Sequence, residues 1–159
     1  MKKSFWIYLV LTLSIMVAIF CFSAQPGEKS SSMSMSMTKK VVTEKPSEQI
    51  TLAEVNDKIE LVETIIRKSA HAIIFTALGF CVFMTLYHSG KMNKYTNLFI
   101  ISFVFCIFYA ASDEIHQLFV SERSGEVRDF LIDSSGSFIG ILIALGVLEI
   151  KKKLQKRKA

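Results

Sequence analysis

Four charge-poor apolar stretches dominate this sequence, and each is close to the length of a membrane-spanning helix. They cover residues 5–22, 70–87, 95–111 and 130–148. Crossing the hydrocarbon core of a bilayer takes about 20 predominantly apolar helical residues, with a tolerated range of about 17–25. Because 51% of all residues are hydrophobic and most of them fall into these four runs, the sequence predicts a membrane protein rather than a soluble domain.

The basic residues are divided unequally between the two sides of such a bundle. With both termini on one side, that side carries ten of the nineteen Lys and Arg residues against a single acidic residue, Glu149, for a net charge of +9. The opposite side then has a net charge of −4, which gives the total of +5. Short loops rich in Lys and Arg stay in the cytoplasm. We therefore predict a multi-pass protein of the cell membrane with cytoplasmic N- and C-termini.

The positive charge also bears on the partners of the protein. A basic tail next to a span is suited to anionic lipid headgroups. No aromatic interleaving and no nucleic-acid motif accompanies the charge, so we predict membrane lipids and not nucleic acid as partners.

The first span could instead be a cleaved signal peptide, but its apolar run is longer than that of a usual signal peptide and no Ala-x-Ala site follows. We predict that it is retained as a helix.

The predicted fold is all-α, with four transmembrane helices in a single domain of 159 residues. A variable outer loop, residues 24–66, separates the first two spans. It contains a Ser/Met tract at residues 30–38, whose low complexity predicts a mobile loop. An amphipathic helix on the outer surface is predicted beyond this tract. Its apolar positions recur at spacings of three and four residues: Leu52, Val55, Ile59, Val62 and Ile66.

Ionisable and amide residues gather where the predicted spans reach the outer side. Such groups are costly at this depth and are usually retained for function. They are Arg67, Lys68 and His71 beside the second span, Asp113, Glu114, His116 and Gln117 after the third, Arg123 in the next loop, and Asp129 and Asp133 at the fourth.

These residue types suit several kinds of site. The cations could hold an anion, with arginine making bidentate contacts. A His116–Asp113 pair could act in acid–base catalysis, with Glu114 as a further candidate. Two histidines and several carboxylates also meet the ligand inventory of a metal site. The spacings match no specific motif such as His-Glu-x-x-His, so we predict no metal and no cofactor. Alternatively, salt bridges among these residues only tie the helix ends together.

The fourth span carries a second kind of signal. Gly136 and Gly140 form a Gly-x-x-x-Gly pair. Small residues at this spacing let two transmembrane helices approach closely, so we expect this face to pack inside the bundle.

Several motifs, in order along the chain, resemble the VanZ-like family of small bacterial membrane proteins. The family pattern Arg-Lys-x-x-His matches residues 67–71, and Asp-Glu-x-x-Gln matches 113–117. Arg123, Asp129 and a glycine-bearing helix follow, and the turn at residues 22–26 is also similar. The resemblance covers nearly all of the chain except residues 28–63. One departure is Asp133, where the family commonly has Asn. We expect this added carboxylate to repel Asp129 or to share a proton with it.

The family is named for a protein associated with resistance to the lipid-tailed glycopeptide teicoplanin. The resemblance therefore implies a role in the Gram-positive cell envelope and in antibiotic resistance. We predict that the outer cluster binds or modifies an envelope lipid or a cell-wall intermediate. The predicted binding residues are Arg67, Lys68 and Arg123 on the anionic group, with His71, Asp113, Glu114, His116, Gln117 and Asp129 orienting it. The alternatives are a membrane enzyme acting on a lipid-linked substrate, by acid–base or metal-assisted chemistry, and a structural or partner-binding protein.

Overall fold

The computed structural model describes residues 3–25, 52–92, 94–121, 123 and 125–158 of the chain. It contains four long α-helices: α1 (Lys3–Ser23), α2 (Leu52–Ser89), α3 (Tyr95–Gln117) and α4 (Val127–Lys158). No strand occurs among the described residues. All four helices are long and apolar enough to cross a membrane. The prediction of an all-α protein with four candidate transmembrane helices is confirmed.

The helices extend beyond the apolar runs from which they were predicted. The span-forming parts are Lys3–Ser23, Thr64–Ser89, Tyr95–Gln117 and Val127–Arg157. The segment predicted as an amphipathic helix is helical, and it continues into the second span without a break as the first turns of the 38-residue α2. The Ser/Met tract and most of the predicted outer loop lie outside the described residues.

Short connections make successive helices α2, α3 and α4 run in alternate directions. Gly90, which has a φ of 70°, begins the turn from α2 to α3, and this left-handed conformation favours glycine. The last residues of α3 therefore lie beside the first turns of the α2 span and of α4. The end of α1 lies in the same region, since Ser23 is hydrogen-bonded to Asp113. We call this region the polar end. The opposite region, with Lys3, Lys91, Lys94 and the C-terminal lysines, is the basic end.

Helix α2 is central and packs against the other three helices. Toward the polar end its Phe75 and Leu78 are fully buried with Cys106 and Ala110 of α3. Toward the basic end a second group of buried side chains follows: Phe83, Met84, Leu98, Ile141, Ala144 and Leu148. Many other large apolar side chains point outward, as is expected of helices surrounded by lipid.

The contact between α2 and α4 is unusually close because of glycine. A Cβ atom at Gly140 would collide with the backbone of Thr76, and one at Gly136 would lie only 2.5 Å from the carbonyl oxygen of Ala72. On the other side of the interface, Gly79 lies against the backbone of Ser137. This approach brings the first turn of α4 next to the polar residues of α2.

Candidate functional site

Asp113 lies at the centre of a buried hydrogen-bond network at the polar end. Its Oδ2 atom accepts hydrogen bonds from Ser23 Oγ at 2.8 Å and from Gln117 Nε2 at 2.9 Å. All three side chains are buried. Hydrogen bonds to a charged acceptor are stronger than neutral ones. The network therefore joins the end of α1 to the end of α3 and fixes the orientation of the Asp113 carboxylate.

Lys68 forms the corresponding link between α2 and α4. Its Nζ atom lies 2.5 Å from Asp129 Oδ1 and 3.1 Å from Glu126 Oε2. The Lys68 and Asp129 side chains are only 18% and 21% exposed, so their mutual attraction is less screened than that of a surface pair. The charge of Lys68 is thus balanced by carboxylates within the protein.

Glu114 determines how the chain enters α4. Its Oε2 atom accepts a hydrogen bond of 2.8 Å from the backbone N–H of Glu126, the residue before α4 begins. Gly125 is needed beside it, because a Cβ atom there would lie 2.9 Å from the backbone oxygen of Glu114. The second carboxylate oxygen of Glu114, Oε1, is buried and has no hydrogen-bond partner in the part of the chain that the structure describes.

Arg123 is a half-buried cation with weak contacts. Its guanidinium donates two long hydrogen bonds of 3.4 Å, to Gln117 Oε1 and to the backbone oxygen of Phe22. Its buried Nε has no partner among the residues that the structure describes. Burial lowers the pKa of Arg123 below its usual value and the charge of Arg67 lowers it further, while the carboxylates of Asp113, Glu114 and Asp129 act in the opposite direction. An arginine remains protonated even so, which means that this site carries a poorly solvated positive charge.

A small cavity lies between these elements. Its volume is about 10 Å³, which is close to the space needed by one water molecule. Helices α2 and α4, the end of α3 and the α3–α4 loop all contribute to its wall. The lining residues are Arg67, Lys68, His71, Gln117, Arg123, Asp129, Ile132 and Asp133. Six of the nine binding residues predicted from the sequence therefore share one cavity: Arg67, Lys68, His71, Gln117, Arg123 and Asp129.

Asp133 contacts a different group from the one expected. It is completely buried, and its Oδ2 atom lies 3.6 Å from Nδ1 of His71 on α2. Asp129, the expected neighbour, is ion-paired with Lys68. Asp129 and Asp133 have different partners because they lie one turn apart on α4 and face different residues of α2. Potential ligand atoms of His71, Asp113 and Asp133 all lie within 4.8 Å of one another, so these three residues could hold a metal ion.

His116 belongs neither to the lining of the cavity nor to the cluster of His71, Asp113 and Asp133. Its ring stacks on Phe20 of α1 with a centroid separation of 4.5 Å, and no described residue forms a hydrogen bond with its buried Nε2. Asp113 is bonded instead to Ser23 and Gln117. The structure therefore does not bring His116 and Asp113 together as an acid–base pair.

The order of these residues along the chain agrees with a known family. The VanZ/LLP1 family model matches residues 5–149, nearly the whole chain. The chain belongs to the VanZ/LLP1 family. Neither a curated protein nor a solved structure matches it. The VanZ/LLP1 match includes every residue of the polar end and stops before the basic C-terminal segment that begins at Lys151.

Two residues of this VanZ/LLP1 polar end were missing from the binding residues predicted from the sequence. Ser23 belongs to a turn that carries the family resemblance, and this was the available signal for it. Asp133 is at a helical spacing of four from Asp129, but its complete burial beside His71 follows from the packing of α4 on α2. Spacing within one helix does not reveal such a contact between helices.

Proposed function

We propose that this VanZ/LLP1 protein binds an anionic group of an envelope lipid, or of a lipid-linked cell-wall intermediate, at its polar end. The observation that carries the proposal is the pair Arg67 and Arg123. They line the same cavity from different elements, and burial and Arg67 disfavour the charge of Arg123 more than Asp113, Glu114 and Asp129 favour it. An anion held by both guanidinium groups would offset this repulsion, and each group is suited to bidentate contact with phosphate or carboxylate.

The size of the cavity limits how such a ligand would bind. A space of about 10 Å³ does not accommodate a phosphate group, so the headgroup would contact the arginines at the rim. Lipid chains would lie along the apolar outer surface of the helices. In this arrangement Lys68 has a supporting role, since its charge is already balanced by Glu126 and Asp129.

The distribution of charge supports an outward-facing polar end. The basic end carries Lys3, Lys91, Lys94 and the basic C-terminal part of α4. By the positive-inside rule this end belongs in the cytoplasm. The polar end of a protein in the cell membrane would then meet the outer leaflet, where lipid-linked cell-wall intermediates are used. This location agrees with the role in teicoplanin susceptibility that the family resemblance implies.

A binding measurement tests the proposal directly. Wild type, Arg67→Gln, Arg123→Gln and Arg128→Gln would be purified in a neutral detergent. Thermal unfolding would then be followed with added phosphatidylglycerol or phosphatidylcholine. Arg128 is an exposed arginine that does not line the cavity, so its variant is a matched control for loss of charge. We expect phosphatidylglycerol to stabilise wild type and Arg128→Gln but not the other two variants. Equal stabilisation of all four proteins would contradict the proposed site.

The same variants test the proposed role in the envelope. A Gram-positive host would express each variant at a matched membrane level, and susceptibility to teicoplanin would be compared with that to vancomycin. We expect wild type and Arg128→Gln to reduce teicoplanin susceptibility alone, and Arg67→Gln and Arg123→Gln to lose this effect. If wild type gave no protection, the teicoplanin role would be abandoned, while the lipid measurement would still decide on anion binding.

A purely structural role is the second candidate, and one observation favours it. The Ser23–Asp113 and Lys68–Asp129 contacts join separate helices, as is expected of polar residues that only stabilise a bundle. This alternative predicts that any phenotype of Arg123→Gln follows the abundance of the protein. A stable and abundant Arg123→Gln protein that no longer binds phosphatidylglycerol would exclude it.

A further inference from the structure

Asp133 presents a charge-balance problem that the hydrogen bonds of the polar end do not solve. Its side chain is completely buried, and neither carboxylate oxygen has a hydrogen-bond partner among the described residues. A buried carboxylate without a donor is costly, and buried charges in proteins are normally paired or bound to a metal. Its ion-pair partner is His71, at 3.6 Å, which is longer than a hydrogen bond.

A second buried carboxylate increases the negative charge at this point. Asp113 is 4% exposed, and a ligand atom of its carboxylate lies within 4.8 Å of those of His71 and Asp133. Two carboxylates at this separation repel each other strongly in a buried setting. A protonated His71 balances only one of them, and the charge of Arg123 reaches Asp113 without an ion pair between the two side chains.

Asp113 and Asp133 differ in the hydrogen bonds that they accept. The donors around Asp113 resemble those around carboxylate ligands of metals. Asp113 is oriented by Ser23 and Gln117, and Gln117 is in turn contacted by Arg123. Carboxylate ligands of metals are commonly held in this way by outer hydrogen bonds. Within the described residues Asp133 accepts no hydrogen bond and has only His71 Nδ1 nearby, at 3.6 Å, so its oxygens are available to a cation. The small cavity that His71 and Asp133 help to line has room for one ion but not for an organic ligand.

We infer that His71, Asp113 and Asp133 bind one divalent transition-metal cation of the Mn²⁺ or Zn²⁺ type. An imidazole with two carboxylates suits these ions, whereas Cu(I) prefers sulfur ligands and Ca²⁺ prefers oxygen alone. Metal–ligand bonds of about 2.0–2.2 Å place neighbouring ligand atoms about 3–3.5 Å apart. The His71–Asp133 separation of 3.6 Å is already close to this range. The metal would join α2, α3 and α4.

The proposed metal ligands include none of the arginines, although His71 and Asp133 line the same cavity as Arg67 and Arg123. The test therefore contains no lipid ligand. The full-length chain would be purified in detergent with a tag that lacks histidine, treated with a chelator and then equilibrated with Mn²⁺ or Zn²⁺. Elemental analysis after desalting gives the stoichiometry. Electron paramagnetic resonance of the Mn²⁺ sample detects coupling to an imidazole nitrogen. Mn²⁺ is the better probe, since the methionines at positions 33–37 offer only soft sulfur ligands.

The variants distinguish this site from other acidic groups. Asp133→Asn keeps the shape of the side chain and removes its charge, and His71→Gln removes the imidazole. Glu149→Gln removes an exposed carboxylate from the other end of the same helix and is the control. We expect about one metal ion per chain in wild type and in Glu149→Gln. We expect at least tenfold weaker binding in the other two variants and loss of the nitrogen coupling in His71→Gln. Circular dichroism would establish that each variant is folded.

Two results would overturn the inference. Wild type that takes up neither ion in stoichiometric amount would show that the carboxylates are balanced by protons. A folded Asp133→Asn or His71→Gln protein that binds metal as tightly as wild type would show that the metal lies elsewhere. Neither result depends on whether phosphatidylglycerol binds at Arg67 and Arg123.

Discussion

The hydroxyl group of Ser23, the last residue of α1, donates a hydrogen bond of 2.8 Å to the carboxylate of Asp113 near the end of α3. Both side chains are buried although they are 90 residues apart in the chain. Helices in lipid gain little from burying apolar side chains against each other, since lipid tails are equally apolar. A buried polar contact therefore has a large part in fixing the position of α1 against the bundle.

We expect Ser23→Ala to destabilise the protein by about 1–2 kcal/mol, because Asp113 would lose one of its two donors while remaining buried. The free energy of unfolding would be measured by denaturation in mixed micelles, followed by circular dichroism. Ser14→Ala is the matched control, since Ser14 is an exposed serine of the same helix. Equal stability of the Ser23 and Ser14 variants would mean that the contact contributes little.

The close packing of α2 on α4 gives a second prediction. Gly140→Ala should destabilise the protein by about 1–3 kcal/mol, because the added methyl group would force the backbone of Thr76 away. Gly146→Ala on the same helix should be neutral or stabilising by up to about 1 kcal/mol, since nothing lies within 4 Å of its added Cβ atom. Thermal unfolding of both variants checks the difference. A Gly140→Ala protein as stable as Gly146→Ala would exclude the close approach.

The ion pair between Lys68 and Asp129 predicts a coupling between two substitutions. Lys68→Met would leave two carboxylates without their cation and should cost about 1–2 kcal/mol. Asp129→Asn introduced together with Lys68→Met should then cost less than the sum of the single changes, by about 0.5–2 kcal/mol. A double-mutant cycle from mixed-micelle unfolding gives this coupling. Strictly additive effects would show that Lys68 and Asp129 do not interact in the folded protein.

The proposed orientation predicts opposite accessibility for two exposed loop positions. Cys21, Cys81 and Cys106 are free and would first be replaced by serine or alanine. Ser121→Cys lies in the loop of the polar end, and Lys91→Cys lies in the turn of the basic end. In intact cells, we expect a membrane-impermeant thiol reagent to label Ser121→Cys and to label Lys91→Cys only after permeabilisation. The reverse pattern would place the polar end in the cytoplasm and would contradict the proposed function.

The family and the helical architecture were predictable because their signals lie within single segments. Each apolar run indicates a helix without reference to the others, and the motifs at residues 67–71 and 113–117 indicate the family. Lys68 and His71 are three residues apart and Arg67 and His71 four apart, and residues at these spacings lie on one helix surface. All three line the cavity.

The pairing of side chains between helices could not be predicted in the same way. Spacing gave His116 and Asp113 as neighbours on one helix, but the fold turns His116 toward Phe20 and bonds Asp113 to Ser23. The sequence also predicted that Asp133 and Asp129 repel each other, and they do interact electrostatically, but the ion pairs that α2 offers them, Lys68 for Asp129 and His71 for Asp133, were not predictable.

The sequence by itself determined the four helices, the family and the polar composition of one end, because hydrophobicity, charge and local motifs are properties of contiguous residues. The tertiary structure alone decided which charges neutralise each other. The glycine-mediated approach of α4 to α2 sets the rotation and height of one helix against the other. That packing pairs Lys68 with Asp129, buries Asp133 beside His71 and Asp113, and leaves Arg67 and Arg123 as the proposed contacts for an anion.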